Sequence, residues 1–141
     1  MHPGAWVNSK LANGHGDYMA LLGEYEFCQR YGLALDLSPR INGDGGKDGT
    51  IATLRGESCW DVKTYENPRN LLVTSYRCKP RVIYVLAQYF PALDSVSLLG
   101  WQWGKILLRG EAKDWGGKGI ISYACLAKDL RPMKDLDALV L

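Results

Sequence analysis

Histidine is nearly missing from this chain. His2 and His15 are the only two, both close to the start. That scarcity argues against a histidine-built zinc site and against a Ser-His-Asp triad. The four cysteines, Cys28, Cys59, Cys78 and Cys125, never stand at a two-residue spacing, so zinc-ribbon and thioredoxin-like motifs are excluded. No apolar run approaches the roughly 20 residues that a membrane helix needs, and no membrane association is expected. No signal-peptide pattern is recognised, so the expectation is a cytoplasmic protein with reduced thiols (in the host cytoplasm if the chain is viral). An excess of either charge sign is missing too. Seventeen Lys and Arg stand against fifteen Asp and Glu, a formal net charge of +2. This is too little to imply a nucleic-acid partner by itself, yet a protein that meets DNA on one face can be near neutral when its carboxylates gather at a metal site. The glycine-rich stretch lacks the Gly-Lys-Ser/Thr ending of a phosphate loop. Counted as an EF-hand from Asp44, it has Arg55 where the bidentate glutamate belongs.

What is present fits one ordinary domain over residues 1–141. The chain is 47% hydrophobic and 23% charged, as soluble globular proteins are. Residues 1–16 read as a loose arm. Asp17 is a candidate N-cap for a helix to about Tyr31, in which Tyr18, Leu21, Leu22, Tyr25 and Cys28 recur at three- and four-residue steps. Gly32 stands where a left-handed cap belongs. Gly23 weakens a helix interior, so another element is expected to approach it closely. Leu33 to Leu37 reads as a short extended piece and Ser38 to Gly49 as a polar turn region. Thr50 to Leu54 and Ser58 to Tyr65 read as a hairpin. Strands are expected at Leu71–Ser75, Arg81–Gln88, Ser95–Trp101 and Ile120–Cys125. The run Val82-Ile83-Tyr84-Val85-Leu86 is apolar enough for a central strand. Lys105–Arg109 reads as a short helix, and the tail after Leu126 as another, against the sheet. The architecture expected is α/β, a mixed, mostly antiparallel sheet flanked by helices.

The informative segment runs from Gly43 to Tyr65. If the hairpin turns on Arg55-Gly56, Leu54 pairs with Glu57, Thr50 with Asp61, and Asp48 lies opposite Lys63. Opposite residues share a sheet face, as do residues two apart, so Asp48, Asp61 and Lys63 would converge. A slip of one residue would send Asp48 to the other face. Such a trio suits phosphodiester hydrolysis. Hard carboxylate oxygens can hold Mg²⁺ or Mn²⁺, and a lysine can orient water or stabilise developing charge. The Val62 carbonyl, between the two side chains, is a natural extra ligand. Taken alone, Asp61-Val62-Lys63 is weak, because Asp-x-Lys on a strand is usually a solvated face. At hairpin distance from Gly43-Asp44-Gly45-Gly46-Lys47-Asp48-Gly49, it gains weight.

With these residues in place, the chain resembles the PD-(D/E)XK nuclease superfamily, of restriction-endonuclease-like fold. It looks most like small phage-borne members and modified-DNA restriction nucleases, which carry a glycine-rich Asp motif, a hairpin and an acidic-x-Lys motif. The resemblance covers Tyr18 to Tyr65 and implies a metal-dependent DNA nuclease. It implies Asp48, Asp61, Lys63 and Glu24 as catalytic residues, with Asp48, Asp61, Val62 and Glu24 as metal ligands. Glu24 takes the helix position because it follows Gly23, in preference to Glu26. Lys47 stands where the named motif has proline. Many relatives pair two sites across a two-fold axis, so a homodimer is expected. The alternative is a non-catalytic nucleic-acid-binding or assembly module on the same fold.

Secondary signals are weaker. Arg77, Lys79 and Arg81, beside Tyr76, form a basic stretch that either contacts DNA phosphates or is a solvated strand edge. Lys113 to Lys118, with Trp115, is a candidate substrate-touching loop. Tyr65 is a candidate wall of the cleft. Trp60, Trp101 and Trp103 read as core or interface.

Overall fold

The computed structural model describes residues 15–35 and 48–141. The predicted arm, the extended piece beyond Leu35 and most of the glycine-rich segment, Asp44 and Lys47 included, lie outside the described residues. The first described element is helix α1, His15–Tyr31. It begins two residues before the expected cap, and Asp17 sits in its first turn, where a carboxylate favours the helix dipole. Gly32 follows with φ +66°, the left-handed turn that glycine adopts without a Cβ penalty.

Strands β1 (Gly49–Thr53) and β2 (Gly56–Tyr65) form the hairpin, and β4 (Val82–Phe90) and β5 (Ser95–Trp103) complete a four-stranded sheet in the order β1-β2-β4-β5. Strand β3 (Asn70–Thr74) lies between β2 and β4 in the chain and leaves the main sheet. It pairs antiparallel with β6 (Ser122–Leu126) in a separate two-stranded sheet. The excursion reverses the chain, so β4 returns parallel to β2, with Asp61 beside Tyr84 and Lys63 beside Leu86. The other pairings are antiparallel. The fold is therefore α/β with a mixed, mostly antiparallel sheet. Two short helices, α2 (Gly104–Leu107) and α3 (Met133–Leu139), complete it. No described helix is long and apolar enough to cross a membrane.

Strand β4 is the axis of the core. Ile83, Tyr84, Val85, Leu86 and Ala87 are all fully buried, because both faces of the strand are covered. On one face Trp60, Val62, Ile83 and Val85 meet Phe27 of α1 and Leu136 of α3. On the other, Tyr84 and Leu86 meet Leu71 and Val73 of β3 and Leu107 of α2. Each buried aliphatic side chain contributes about 1.5–3 kcal/mol. Trp101 and Trp103 belong to the core as expected, and the Trp101 indole N–H donates to the Pro132 carbonyl at 3.2 Å. Arg30 of α1 forms a two-point bond to Asp137 of α3, at 2.8 and 2.7 Å, and so ties the two helices together.

Candidate active site

The hairpin register decides where the acidic residues meet. Thr53 pairs with Gly56 and Gly49 with Trp60. The two-residue loop is therefore Leu54-Arg55, in place of Arg55-Gly56, and the expected pairs of Thr50 with Asp61 and Asp48 with Lys63 are not formed. The cause is local. The Thr53 hydroxyl donates to the Gly56 carbonyl at 2.8 Å and accepts from the Arg55 N–H at 3.1 Å. Gly56, with φ +97°, takes the strained position at the start of β2 instead of inside the loop. The register moves by two residues, and a slip of two preserves which face each side chain takes. Extending the observed register by one pair sets Asp48 opposite Asp61.

Strand β1 begins at Gly49, so among the described residues β2 from Asp61 onward has no antiparallel strand partner on that side. Asp48 fills the gap. Its N–H donates to the Trp60 carbonyl at 2.7 Å, and its carboxylate accepts from the Val62 N–H at 2.7 Å. In an extended strand a residue's N–H and C=O point the same way, which aims the Val62 carbonyl at this same edge, toward Asp48. Asp61 and Lys63 alternate with Trp60, Val62 and Thr64 and project from the face that carries β3 and β6. The Lys63 ammonium lies 3.0 Å from the Asp61 carboxylate. Asp61 is 4% exposed, while the Lys63 side chain keeps 31% of its surface open.

Glu24 arrives from α1. The helix can approach because residue 23 is glycine: a Cβ there would strike the Thr64 hydroxyl and stand 3.1 Å from a Val62 methyl. The close neighbour expected at Gly23 is thus β2 itself. Glu24 is 5% exposed and shares with Asp48, Gly49, Thr50, Trp60 and Leu33–Leu35 the lining of a cavity of about 260 Å³.

The charges are strongly coupled. Burial pushes the Asp48 carboxyl well above the usual carboxylate range, and the negative charges of Asp61 and Glu24 push it further, against the Val62 N–H bond. The Asp61 carboxylate is thus near enough to Asp48 to hold its proton on. Burial opposes the charge on Lys63, but the adjacent Asp61 carboxylate outweighs it, so the ammonium titrates above its ordinary range. Burial likewise raises the Tyr65 hydroxyl, although Lys63 lowers it in part.

A divalent cation fits this donor set sparsely. Among the described residues, no three His, Cys, Asp or Glu side chains stand close enough together to enclose a metal ion. Glu24 acts on Asp48 through charge, which reaches further than a ligand bond. Mg²⁺, however, is held by one or two carboxylates and keeps several waters. The Asp48–Asp61 pair, with the Val62 carbonyl beside it, offers that minimum.

The basic stretch is brought elsewhere. Arg77 ends a short 3₁₀ turn, Ser75–Arg77, and Lys79 and Arg81 follow on the loop into β4. All three are exposed. Tyr76, beside them, is 74% exposed, with the Arg77 guanidinium 5.5 Å from its ring centre. In the Lys113–Lys118 loop the Lys113 ammonium sits 4.0 Å over the Trp115 ring, and Asp114 accepts from the Lys118 and Gly119 N–H groups. Sequence reasoning missed the charged cleft around Arg55 and Lys105 described below, whose residues come from distant segments and carry no local motif. Comparison with known protein families, curated proteins and solved structures finds no match for this chain.

Proposed function

We propose that this chain is a metal-dependent nuclease that hydrolyses phosphodiester bonds of DNA, on a fold of restriction-endonuclease-like type. The observation that carries the reading is the meeting of Asp48, Asp61 and Lys63 on β2 just beyond the end of its pairing with β1, with Glu24 close behind. Buried Asp61 and half-buried Asp48 meet beside the Lys63 ammonium, and two neighbouring carboxylates with a lysine are the groups that a divalent cation and a phosphate would engage.

Asp48, Asp61 and the Val62 carbonyl would hold the metal, and Glu24 would add negative charge behind Asp48. When bound, Mg²⁺ or Mn²⁺ supplies charge neutralisation at the phosphate and a water of lowered pKa. Lys63, charged and partly open to solvent, orients the attacking water or steadies the negative charge that grows on the phosphoryl oxygens. Asp61 keeps that ammonium in place through their 3.0 Å contact.

A second reading draws on the lack of a three-carboxylate cage among the described residues: a non-catalytic nucleic-acid-binding or assembly module. Incubating plasmid and single-stranded DNA with Mg²⁺ or Mn²⁺, with EDTA as control, separates the two. The nuclease reading expects cleavage that EDTA abolishes. Intact DNA under every condition, with binding retained, would favour the module.

A further inference from the structure

A second charged feature lies near the start of β2, where Arg55, Glu57, Ser58, Arg81, Trp103 and Lys105 line a cleft of about 180 Å³. Its three cations come from three separate segments: the hairpin turn, the loop into β4 and the first turn of α2. Among the described residues none of the three is paired with a carboxylate; the ion pairs there join Arg30 to Asp137, Lys63 to Asp61 and Arg131 to Asp135. Glu57 is the only acidic residue in the lining.

The frame under these side chains is fixed. The Thr53 hydroxyl braces the turn that carries Arg55. The Lys105 N–H donates to the Pro80 carbonyl at 3.0 Å, which holds α2 against the residue before Arg81. Gly104 allows this contact, since a Cβ there would collide with the Lys79 carbonyl. The Lys79 N–H donates to the Tyr84 hydroxyl at 2.9 Å. Trp103, 7% exposed, forms an apolar wall. Two guanidinium forks and an ammonium on a rigid frame match the oxygens of a tetrahedral phosphate. Three cations against one carboxylate repel each other until an anion arrives.

The position relates the cleft to the carboxylate pair. Ser58 precedes Asp61 by three residues, about 10 Å along an extended strand. Arg77 and Lys79 continue the positive charge along the same loop. We infer that this cleft is a second phosphate-binding site, which holds a backbone phosphate of the nucleic acid away from the reacting centre. The inference rests on the nuclease reading for the identity of its partner.

The test is binding of a fluorescein-labelled single-stranded oligonucleotide, followed by anisotropy between 50 and 200 mM salt with EDTA present. Each phosphate neutralised on a single strand contributes about 0.7 to the slope of log K against log salt. The Arg55→Ala/Lys105→Ala variant, which loses the one phosphate held in the cleft, is therefore expected to lose about 0.7 from that slope. Glu57→Gln is expected to bind roughly 2- to 5-fold tighter at low salt, from one repulsive charge removed near a phosphate; a folding defect cannot imitate such a gain. Calorimetry with inorganic phosphate is the companion arm. Binding by the wild type with an unchanged slope in the double variant would overturn the cleft and leave the nuclease reading standing. No DNA binding by the wild type would overturn the shared nucleic-acid partner. Inorganic phosphate binding that the double variant loses, without any change in DNA slope, would make the cleft a free-phosphate site and overturn the backbone-phosphate assignment.

Discussion

Replacing Gly23 with alanine separates a helix effect from a packing effect, and the two have opposite signs. In an exposed helix interior the change would stabilise by about 1 kcal/mol. Here the new methyl would strike the Thr64 hydroxyl and stand 3.1 Å from a Val62 methyl. Thr64 is β-branched and its Cβ lies 3.4 Å from the same point, so rotation about χ1 gives little relief. Overpacking of this kind costs about 1–3 kcal/mol. Gly23→Ala is therefore expected to destabilise by about 0–2 kcal/mol, with each kcal/mol read as roughly 4 °C in Tm for a chain of this size. The Thr64 hydroxyl is buried and has no hydrogen-bond partner among the described residues, so Thr64→Ala alone should cost little. The double variant should recover most of the loss, a coupling that a double-mutant cycle by urea unfolding measures directly. A gain of the full 1 kcal/mol in Gly23→Ala would show that α1 does not press on β2, and the placement of Glu24 would fall with it.

Asp48→Asn tests the buried negative charge. The Asp48 carboxyl titrates higher folded than unfolded, so the folded chain binds the extra proton and stability falls as pH rises above the unfolded value of about 3.9. In EDTA the variant should be more stable than wild type, by a margin in Tm that is larger at pH 8 than at pH 5; a margin independent of pH would contradict this. Asp137→Asn has the opposite dependence. Hydrogen bonds from Arg30 hold the Asp137 carboxyl below its ordinary range, against burial. Its contribution is present above about pH 3.9 and is lost as pH falls through the lowered folded value. Both partners are substantially exposed, so urea unfolding at pH 7 should show a loss of about 0–1 kcal/mol that disappears in acid. Light scattering at micromolar concentration checks the expected homodimer, and a monomer would remove that expectation without touching the site.

Local patterns were legible in this sequence where one element sufficed to generate them. The three- and four-residue spacing of Tyr18, Leu22, Tyr25 and Cys28, with Gly32 behind, marks α1 and its end. The apolar run from Val82 to Leu86 marks a strand covered on both faces. The hairpin was legible as a hairpin, but its turn sits one residue earlier and its pairing is shifted by two, because Thr53 hydrogen bonds and the φ of Gly56 compete for the loop and no pattern ranks them. The side-chain period of two spared the site from that error. Pairings between distant segments were not legible. Nothing local distinguishes β3, which leaves the main sheet, from β4, which joins it parallel to β2. The cleft around Arg55, Arg81 and Lys105 went unseen for the same reason.

Single-turnover cleavage of DNA by Lys63→Ala, with Mg²⁺ affinity measured by calorimetry on the same samples, tests the central claim most directly. Removing an ammonium beside the Asp61 carboxylate should leave metal affinity equal or slightly higher. It should lower the cleavage rate on the order of 10²–10³-fold, as loss of a charge-stabilising donor does. Cleavage at the wild-type rate would contradict the account, because Lys63 would then be no more than Asp61's neighbour.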